Sequence, residues 1–210
     1  INSINKINKT KSVDLIEASK TIMTTDTYPK TSIKNVKIKN TNINIYGFAK
    51  GSGMIQPNMG TMLVYIFIEC LLNKNQLKKL IRQNLENSFN SISVDSDTST
   101  SDTLMLFSTS NKKINLKSYK NFKKLSIAVF ELMQNLTYQV IKDGEGISKL
   151  LEINVVKAKS TNQAKKIAFS IVNSPLVKSA IAGEDANWGR IIMAIGKSYE
   201  KINQNKRENH

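Results

Sequence analysis

Ser32-Ile33-Lys34-Asn35-Val36-Lys37-Ile38-Lys39-Asn40-Thr41-Asn42-Ile43-Asn44-Ile45-Tyr46-Gly47-Phe48 largely alternates apolar and polar side chains on both sides of Asn40. A period of two puts every second side chain on one face of a strand, so two such runs around a polar break predict a hairpin, Ser32–Lys39 with Thr41–Phe48. Working outward, the loop Lys50-Gly51-Ser52-Gly53-Met54-Ile55-Gln56-Pro57-Asn58-Met59-Gly60 leads into a β-rich apolar run, Thr61–Ile68. Thr103–Phe107 and Leu150–Lys157 read as further strands. Helical spacing appears before the hairpin, where Leu15, Ala18 and Ile22 predict a helix over about Ser12–Met23, broken by Thr24-Thr25-Asp26-Thr27-Tyr28-Pro29. Leu77, Leu80, Ile81 and Leu85 share one face of a helix over about Lys74–Phe89. Phe122, Leu125, Val129, Leu132, Leu136 and Val140 mark a longer helix, Phe122–Ile141, punctuated by Gly144-Glu145-Gly146. A helix over Asn162–Val172 is expected to stop near Pro175, and a last one to start at Trp188–Arg190, with Asp185 or Asn187 capping it and Trp188 as an anchor. This order predicts α+β layers with mixed and antiparallel strands rather than a doubly wound sheet.

Composition bounds the function. The chain has 210 residues, 40% of them hydrophobic and 22% charged, which suits one or two globular domains. The longest apolar stretch, Met62–Leu72, is interrupted by Glu69 and falls far short of the roughly 18 residues a membrane span needs, so no membrane association is expected. No basic-then-apolar leader is visible, and a cytoplasmic location is expected. The single cysteine, Cys70, excludes an internal disulfide and a multi-cysteine zinc site, and no metal is expected. The net charge of +15 raises nucleic-acid binding, but the lysines are spread along the chain among Asn and Ile, with no aromatic-basic motif or basic arm. No nucleic-acid partner is therefore expected. The only histidine is His210, so catalysis here must proceed without a histidine base.

Two motifs fail. Gly196-Lys197-Ser198 would end a phosphate loop, but Ile191 stands where its first glycine belongs. Asp95-Ser96-Asp97-Thr98-Ser99 starts like a calcium loop, yet Thr100 replaces the turn glycine and Leu106 the bidentate glutamate. That loop reads instead as a structural network of hydroxyls and carboxylates. Lys50–Thr61 is different. It sets three glycines, a proline and an asparagine ahead of a hydroxyl that opens an apolar strand. It is either a glycine-rich crossover or the site of a nucleophile. Without histidine, a hydroxyl needs a lysine, a carboxylate or a freed α-amine as its base. An N-terminal threonine carries its own amine, whose pKa of about 7.7–8.0 leaves a useful neutral fraction near physiological pH. Creating one inside a chain requires scission of Gly60–Thr61. A glycine before the bond leaves its carbonyl open to the Thr61 hydroxyl.

Five blocks then occur in order: Thr24-Thr25-Asp26-Thr27-x-Pro29-Lys30; Ala49-Lys50-Gly51-Ser52-Gly53-Met54-Ile55-x-Pro57-Asn58-Met59-x-Thr61-Met62-Leu63; Ser88-Phe89-Asn90-x-Ile92-x-Val94-Asp95-x-Asp97-Thr98-Ser99-Thr100; Asp143-Gly144-Glu145-Gly146; and Ile181-Ala182-Gly183-Glu184-Asp185-x-Asn187-Trp188-Gly189-Arg190-Ile191. Together they closely resemble the ornithine acetyltransferase (glutamate N-acetyltransferase) family of arginine biosynthesis, over about residues 12–197. The resemblance implies an α+β fold of the layered α/β/β/α sandwich type. It implies self-cleavage at Gly60–Thr61 into segments 1–60 and 61–210, with Thr61 as nucleophile. An acetyl group would then pass from N-acetylornithine to Thr61 and on to glutamate in a ping-pong cycle, with no cofactor and acetyl-CoA left open as a second donor. By the same resemblance Thr24, Lys50, Thr61 and Glu145 contact substrate, and the assembly is a heterotetramer of two alpha and two beta chains. The residue chemistry fits these roles. Lys50 is a cation for a substrate carboxylate or a developing oxyanion, Glu145 an anion for an ammonium, and Thr24 a hydroxyl that can orient either. Taken singly, each has a plainer reading: Thr24 as a helix terminator, Lys50 as a solvated strand end, Glu145 as turn chemistry.

Departures from the family pattern carry expectations of their own. Gly60 stands where alanine is usual, and Ser96 where glycine is usual, so a left-handed backbone there would cost about 1 kcal/mol or more. No Thr-Gly oxyanion pair occurs in residues 1–23, and the tail 199–210 does not look like the family's C-terminal substrate-binding segment. The chain is thus expected to match the central portion of the enzyme. Two rival functions remain on sequence alone: an N-terminal-nucleophile amidase or aminopeptidase that hands its acyl group to water, and a non-catalytic basic protein that binds anions.

Overall fold

The computed structural model describes residues 14–56, 62–98, 101–110, 112–116 and 118–201. The chain divides into two compact units, Ile1–Glu145 and Gly146–His210.

The first unit is built on the predicted hairpin. β1 (Lys30–Ile38) and β2 (Thr41–Lys50) pair antiparallel, from Lys30 opposite Ala49 to Ile38 opposite Thr41. The two-residue turn puts Lys39 at φ +52, a conformation that the lysine Cβ disfavours. β2 pairs antiparallel with β3 (Leu63–Ile68), and β3 pairs parallel with β4 (Thr103–Ser108), giving one sheet in the order β1-β2-β3-β4. The alternation predicted from the sequence is the sheet's two-sidedness. Ile43 and Ile45 on β2, and Val64, Ile66 and Ile68 on β3, are fully buried on one face.

Two helices cover that face, the longest packing directly on β1 and β2, whereas the first described helix contacts those strands without joining this core. α1 (Leu15–Ile22) starts at Asp14, whose carboxylate accepts the Glu17 N–H at 2.8 Å. α2 (Lys74–Asn84) opens with a reciprocal capping box between Asn73 and Gln76. α3 (Tyr119–Lys142) buries the whole predicted stripe, Phe122, Leu125, Val129, Leu132, Leu136 and Val140. It lies so close to β2 that a Cβ on Gly47 would sit 2.8 Å from Leu132 Cδ2. The opposite face carries an aromatic stripe, with Phe48 against Tyr65 at 5.3 Å and Phe67 stacked on Phe107 at 5.0 Å. The α+β class with mixed strands is therefore as expected. Among the described residues there is one sheet of the layered arrangement and its helical cover.

α2 ends earlier than its periodicity predicts. Ser88 Oγ donates to the Asn84 carbonyl at 2.7 Å, and Phe89–Ser91 forms a separate 3₁₀ turn with Phe89 fully buried.

The second unit is a small helical cluster: α4 (Thr161–Val172), α5 (Pro175–Ala182) and α6 (Trp188–Lys197), packed around Ile167, Ile171, Val177 and Ala194. Two expectations are corrected here and one is extended. Leu150–Lys157 is not a strand; Ile153 and Val155 alternate inward against this cluster, but among the described residues no neighbouring strand is there to form a ladder. Pro175 stands just past the end of α4 at Val172, where a stop was expected, and it also opens the next helix. It occupies the first turn of α5, where its missing N–H costs nothing, behind the cap Ser174. Trp188 is no anchor, being 75% exposed, and Asn187 stands at the cap position of α6 without a side-chain capping bond.

Among the described residues no helix is long and apolar enough to cross a membrane, and no group of three or more His, Cys, Asp or Glu side chains is placed to hold a metal ion.

Candidate active site

Three segments far apart in sequence meet at the C-terminal end of β2: the loop after α1, the start of the Gly51–Gln56 loop, and the turn after α3. Lys50, the last residue of β2, is 8% exposed, so it is not the solvated strand end of the plainer reading. Its ammonium donates to Thr24 Oγ1 at 3.1 Å. Thr24 follows the end of α1, which closes at Ile22, and is itself exposed. Glu145 donates its backbone N–H to the Ser52 carbonyl at 2.8 Å. Ser52 Oγ links the two sides, lying 2.6 Å from Thr25 Oγ1 and 3.4 Å from Glu145 Oε1. A Cβ on Gly53 would fall 2.7 Å from Glu145 Cδ, so only a glycine leaves room for the carboxylate as it stands. Thr24, Lys50 and Glu145 thus join one hydrogen-bonded neighbourhood. Gly60 and Thr61 lie outside the described residues. Leu63, two positions beyond Thr61, stands opposite Lys50 in the β2–β3 ladder.

A buried ionic cluster fixes this neighbourhood, and sequence reasoning missed it. Lys30 is fully buried and donates to Asp26 Oδ1 at 2.6 Å and to Asp143 Oδ2 at 2.5 Å. Asp26 also accepts the Gly51 N–H at 2.7 Å and the Thr24 N–H at 3.2 Å. Asp143 accepts the Thr27 N–H at 2.9 Å and its hydroxyl as well. Burial by itself would raise both carboxyls. The Gly51 N–H and Lys30 at Asp26, and Lys30 and Thr27 at Asp143, outweigh it and hold both below the usual carboxylate range. One ammonium therefore ties together Gly51 beside Lys50, the Thr24 loop, and the turn that presents Glu145. The only sequence signal was that Asp26 and Lys30 share a block and Asp143 opens another.

The Asp95 turn does structural work, as expected. The Asp95 carboxylate accepts the N–H groups of Met54, Ile55 and Asp97, Val94 donates to the Ile55 carbonyl at 2.7 Å, and Ile55 bridges to Thr98. This clamps the segment that leads to residue 57. Ser96 adopts φ +71, the left-handed backbone expected where glycine is usual.

Asp102, at the end of the same loop, was not singled out from the sequence. Its Oδ1 accepts the Met62 N–H at 2.5 Å, and its buried Oδ2 has no hydrogen-bond partner among the described residues. Burial pushes its carboxyl up to about 6, against the lowering pull of the Met62 N–H and the Lys50 charge.

The family model described as the ArgJ family matches residues 1–208. The Arginine biosynthesis bifunctional protein ArgJ of Bradyrhizobium diazoefficiens is 46% identical over 199 residues, covering 92% of this chain and 48% of that protein. The protein of the same name from Gluconobacter oxydans is 47% identical over 193 residues, covering 90% of this chain and 46% of its own length. Among solved structures, the arginine biosynthesis bifunctional protein argJ from Bacillus halodurans is similar with a TM-score of 0.61 and 36% identity, over 69% of this chain and 68% of that one. The chain belongs to the ArgJ family. It spans about half the length of the curated relatives it matches.

Proposed function

We propose that this protein is a glutamate N-acetyltransferase: it cleaves itself at Gly60–Thr61 and carries an acetyl group on Thr61 from N-acetylornithine to glutamate. The observation that supports this most is the gathering of the Lys50 ammonium, the Thr24 hydroxyl and the Glu145 carboxylate at the end of the strand whose ladder partner, Leu63, closely follows Thr61.

In the proposed cycle Thr61 Oγ attacks the acetyl carbonyl while its proton passes to the α-amine freed by scission. The tetrahedral intermediate expels ornithine, whose nitrogen takes that proton. Glutamate then attacks the acetyl ester, the proton route reverses, and N-acetylglutamate leaves. Each half-reaction brings an amino acid with a carboxylate to be met by a cation, a part that suits the nearly buried Lys50; the alternative role for Lys50 is at the oxyanion. Glu145 faces solvent and would receive the ornithine ammonium. Thr24, bonded to Lys50, would orient either group. Acetyl-CoA is a second candidate donor, no resident cofactor is invoked, and the proposed assembly is a cytoplasmic heterotetramer of two copies of each fragment.

Incubation with N-acetylornithine labelled in its acetyl group tests the reading. Label on the Thr61 peptide, chased off by glutamate as N-acetylglutamate, is the expected result; acetyl-CoA as the labelled donor answers the second question in the same format. Release of label as acetate with or without glutamate would assign an amidase instead. Thr61→Ala is expected to run as one full-length band on a denaturing gel, where the parent gives fragments 1–60 and 61–210.

A further inference from the structure

The α-amine that serves Thr61 as a base in acetyl transfer does not exist until Gly60–Thr61 has been cut. Before that, the same nitrogen is an amide with no basic lone pair, so self-cleavage needs another proton acceptor. Lys50, the nearest described amine, is engaged as a donor to Thr24.

We propose that Asp102 is that acceptor. Its Oδ1 is fixed on the Met62 N–H, the amide nitrogen bonded directly to the Thr61 carbonyl carbon, while its Oδ2 is buried and, among the described residues, has an unused acceptor site. Four covalent bonds separate Met62 N from Thr61 Oγ, which keeps that hydroxyl within roughly 5 Å of it whatever the torsions. The placement is secured from both sides. Thr103 donates its N–H to the Met62 carbonyl at 3.0 Å, and β4 then runs parallel to β3 from Thr103 opposite Leu63. The charged group facing the carboxyl is Lys50, at the end of β2; β3 presents the Met62 N–H.

In the proposed step the Thr61 hydroxyl proton moves to Asp102 Oδ2 as Oγ attacks the Gly60 carbonyl carbon. The tetrahedral adduct collapses with rupture of the C–N bond, and the departing Thr61 nitrogen takes the proton from Asp102. Water hydrolyses the resulting ester, leaving the Gly60 carboxylate and a free Thr61 with hydroxyl and amine. A carboxyl raised to about 6 is ionised at neutral pH and is a stronger base than an exposed aspartate. An unpartnered buried oxygen is costly to keep, as groups held for chemistry rather than for stability tend to be.

The inference rests on Thr61 being the self-cleaving residue, and the test separates the two. The full chain is made by cell-free synthesis, and appearance of the 61–210 fragment is timed on denaturing gels between pH 5 and 8.5. For the parent, the rate should fall tenfold per pH unit below about 6. Asp102→Asn should slow cleavage by about 100-fold or more and abolish that limb, while its thermal midpoint at pH 7.5 is no lower than the parent's, since the amide oxygen still accepts from Met62. Asp102→Glu should cleave with a displaced limb. Cleavage of Asp102→Asn at the parental rate overturns the inference and leaves the Thr61 reading standing. If Asp102→Asn fails to fold, Asp102→Glu decides: a displaced limb supports the role and an unmoved one overturns it. A parent as uncut as Thr61→Ala would sink both.

Discussion

Gly53 is a position where one methyl group separates folding from binding. The group it would strike is the end of the flexible Glu145 side chain, at 2.7–2.9 Å from the added carbon. The carboxylate can swing away while the backbone stays. Gly53→Ala should leave the denaturation midpoint within about 0.5 kcal/mol of the parent. The KM for N-acetylornithine should rise several-fold, because the anion proposed to meet the ornithine ammonium is displaced. Steady-state kinetics beside urea titration checks both halves. Ser96 tests the reverse case. Its φ of +71 is one that glycine adopts without a Cβ clash, so Ser96→Gly should stabilise the fold by up to about 1 kcal/mol. The gain is trimmed by glycine's greater freedom in the unfolded chain, and a rise in the urea midpoint would show it.

At the scale of elements, the ionic cluster joins the loop after α1 to β1, β2 and the end of α3. Lys30→Met removes the shared cation and strands two buried carboxylates, which should cost about 3–5 kcal/mol. The pH profile follows from the same cluster. Asp26 and Asp143 are held below their ordinary value of 3.8, so their stabilisation is in full force above that value and drains away as pH falls through the lower folded-state values. The parent should therefore lose stability below about pH 4, and Lys30→Met should lose much less over that range. Urea midpoints at successive pH values read both. The contrast between what local pattern reveals and what it hides is sharp here. The hairpin and the α3 stripe were legible because periodicity reports which face is buried, and their boundaries differ from expectation by only a few residues. Lys30 was not legible: its two partners lie 4 and 113 residues away, and a lysine is by default a surface residue. Leu150–Lys157 was misread for the converse reason, since its alternating burial is genuine but a strand also needs a neighbour. Thr24, Lys50 and Glu145 were legible only through the order of their blocks. Ser52 and Gly53 sat in those blocks with no residue chemistry to mark them.

For the molecule as a whole, the proposed cut and the compact units do not coincide. The units part between Glu145 and Gly146, whereas the cut falls between β2 and β3, two neighbouring strands of one sheet joined from Ile45 opposite Ile68 to Lys50 opposite Leu63. Both fragments therefore contribute to one hydrophobic core: Ile43, Ile45 and Ala49 come from the first, and Val64, Leu132 and Val140 from the second. The pieces should co-elute in a native sizing column at the position of uncut Thr61→Ala and separate only in denaturant.

A backbone nick in the connection between two paired strands also changes the order of the folding reaction. Melting of the nicked protein releases twice as many molecules as melting of the intact chain, so its thermal midpoint should drop more steeply on dilution than that of Thr61→Ala. Regaining the native state then becomes a bimolecular search between separate strands. Maturation, on this account, makes renaturation a matter of encounter, and a nicked molecule that melts in dilute solution has largely melted for good.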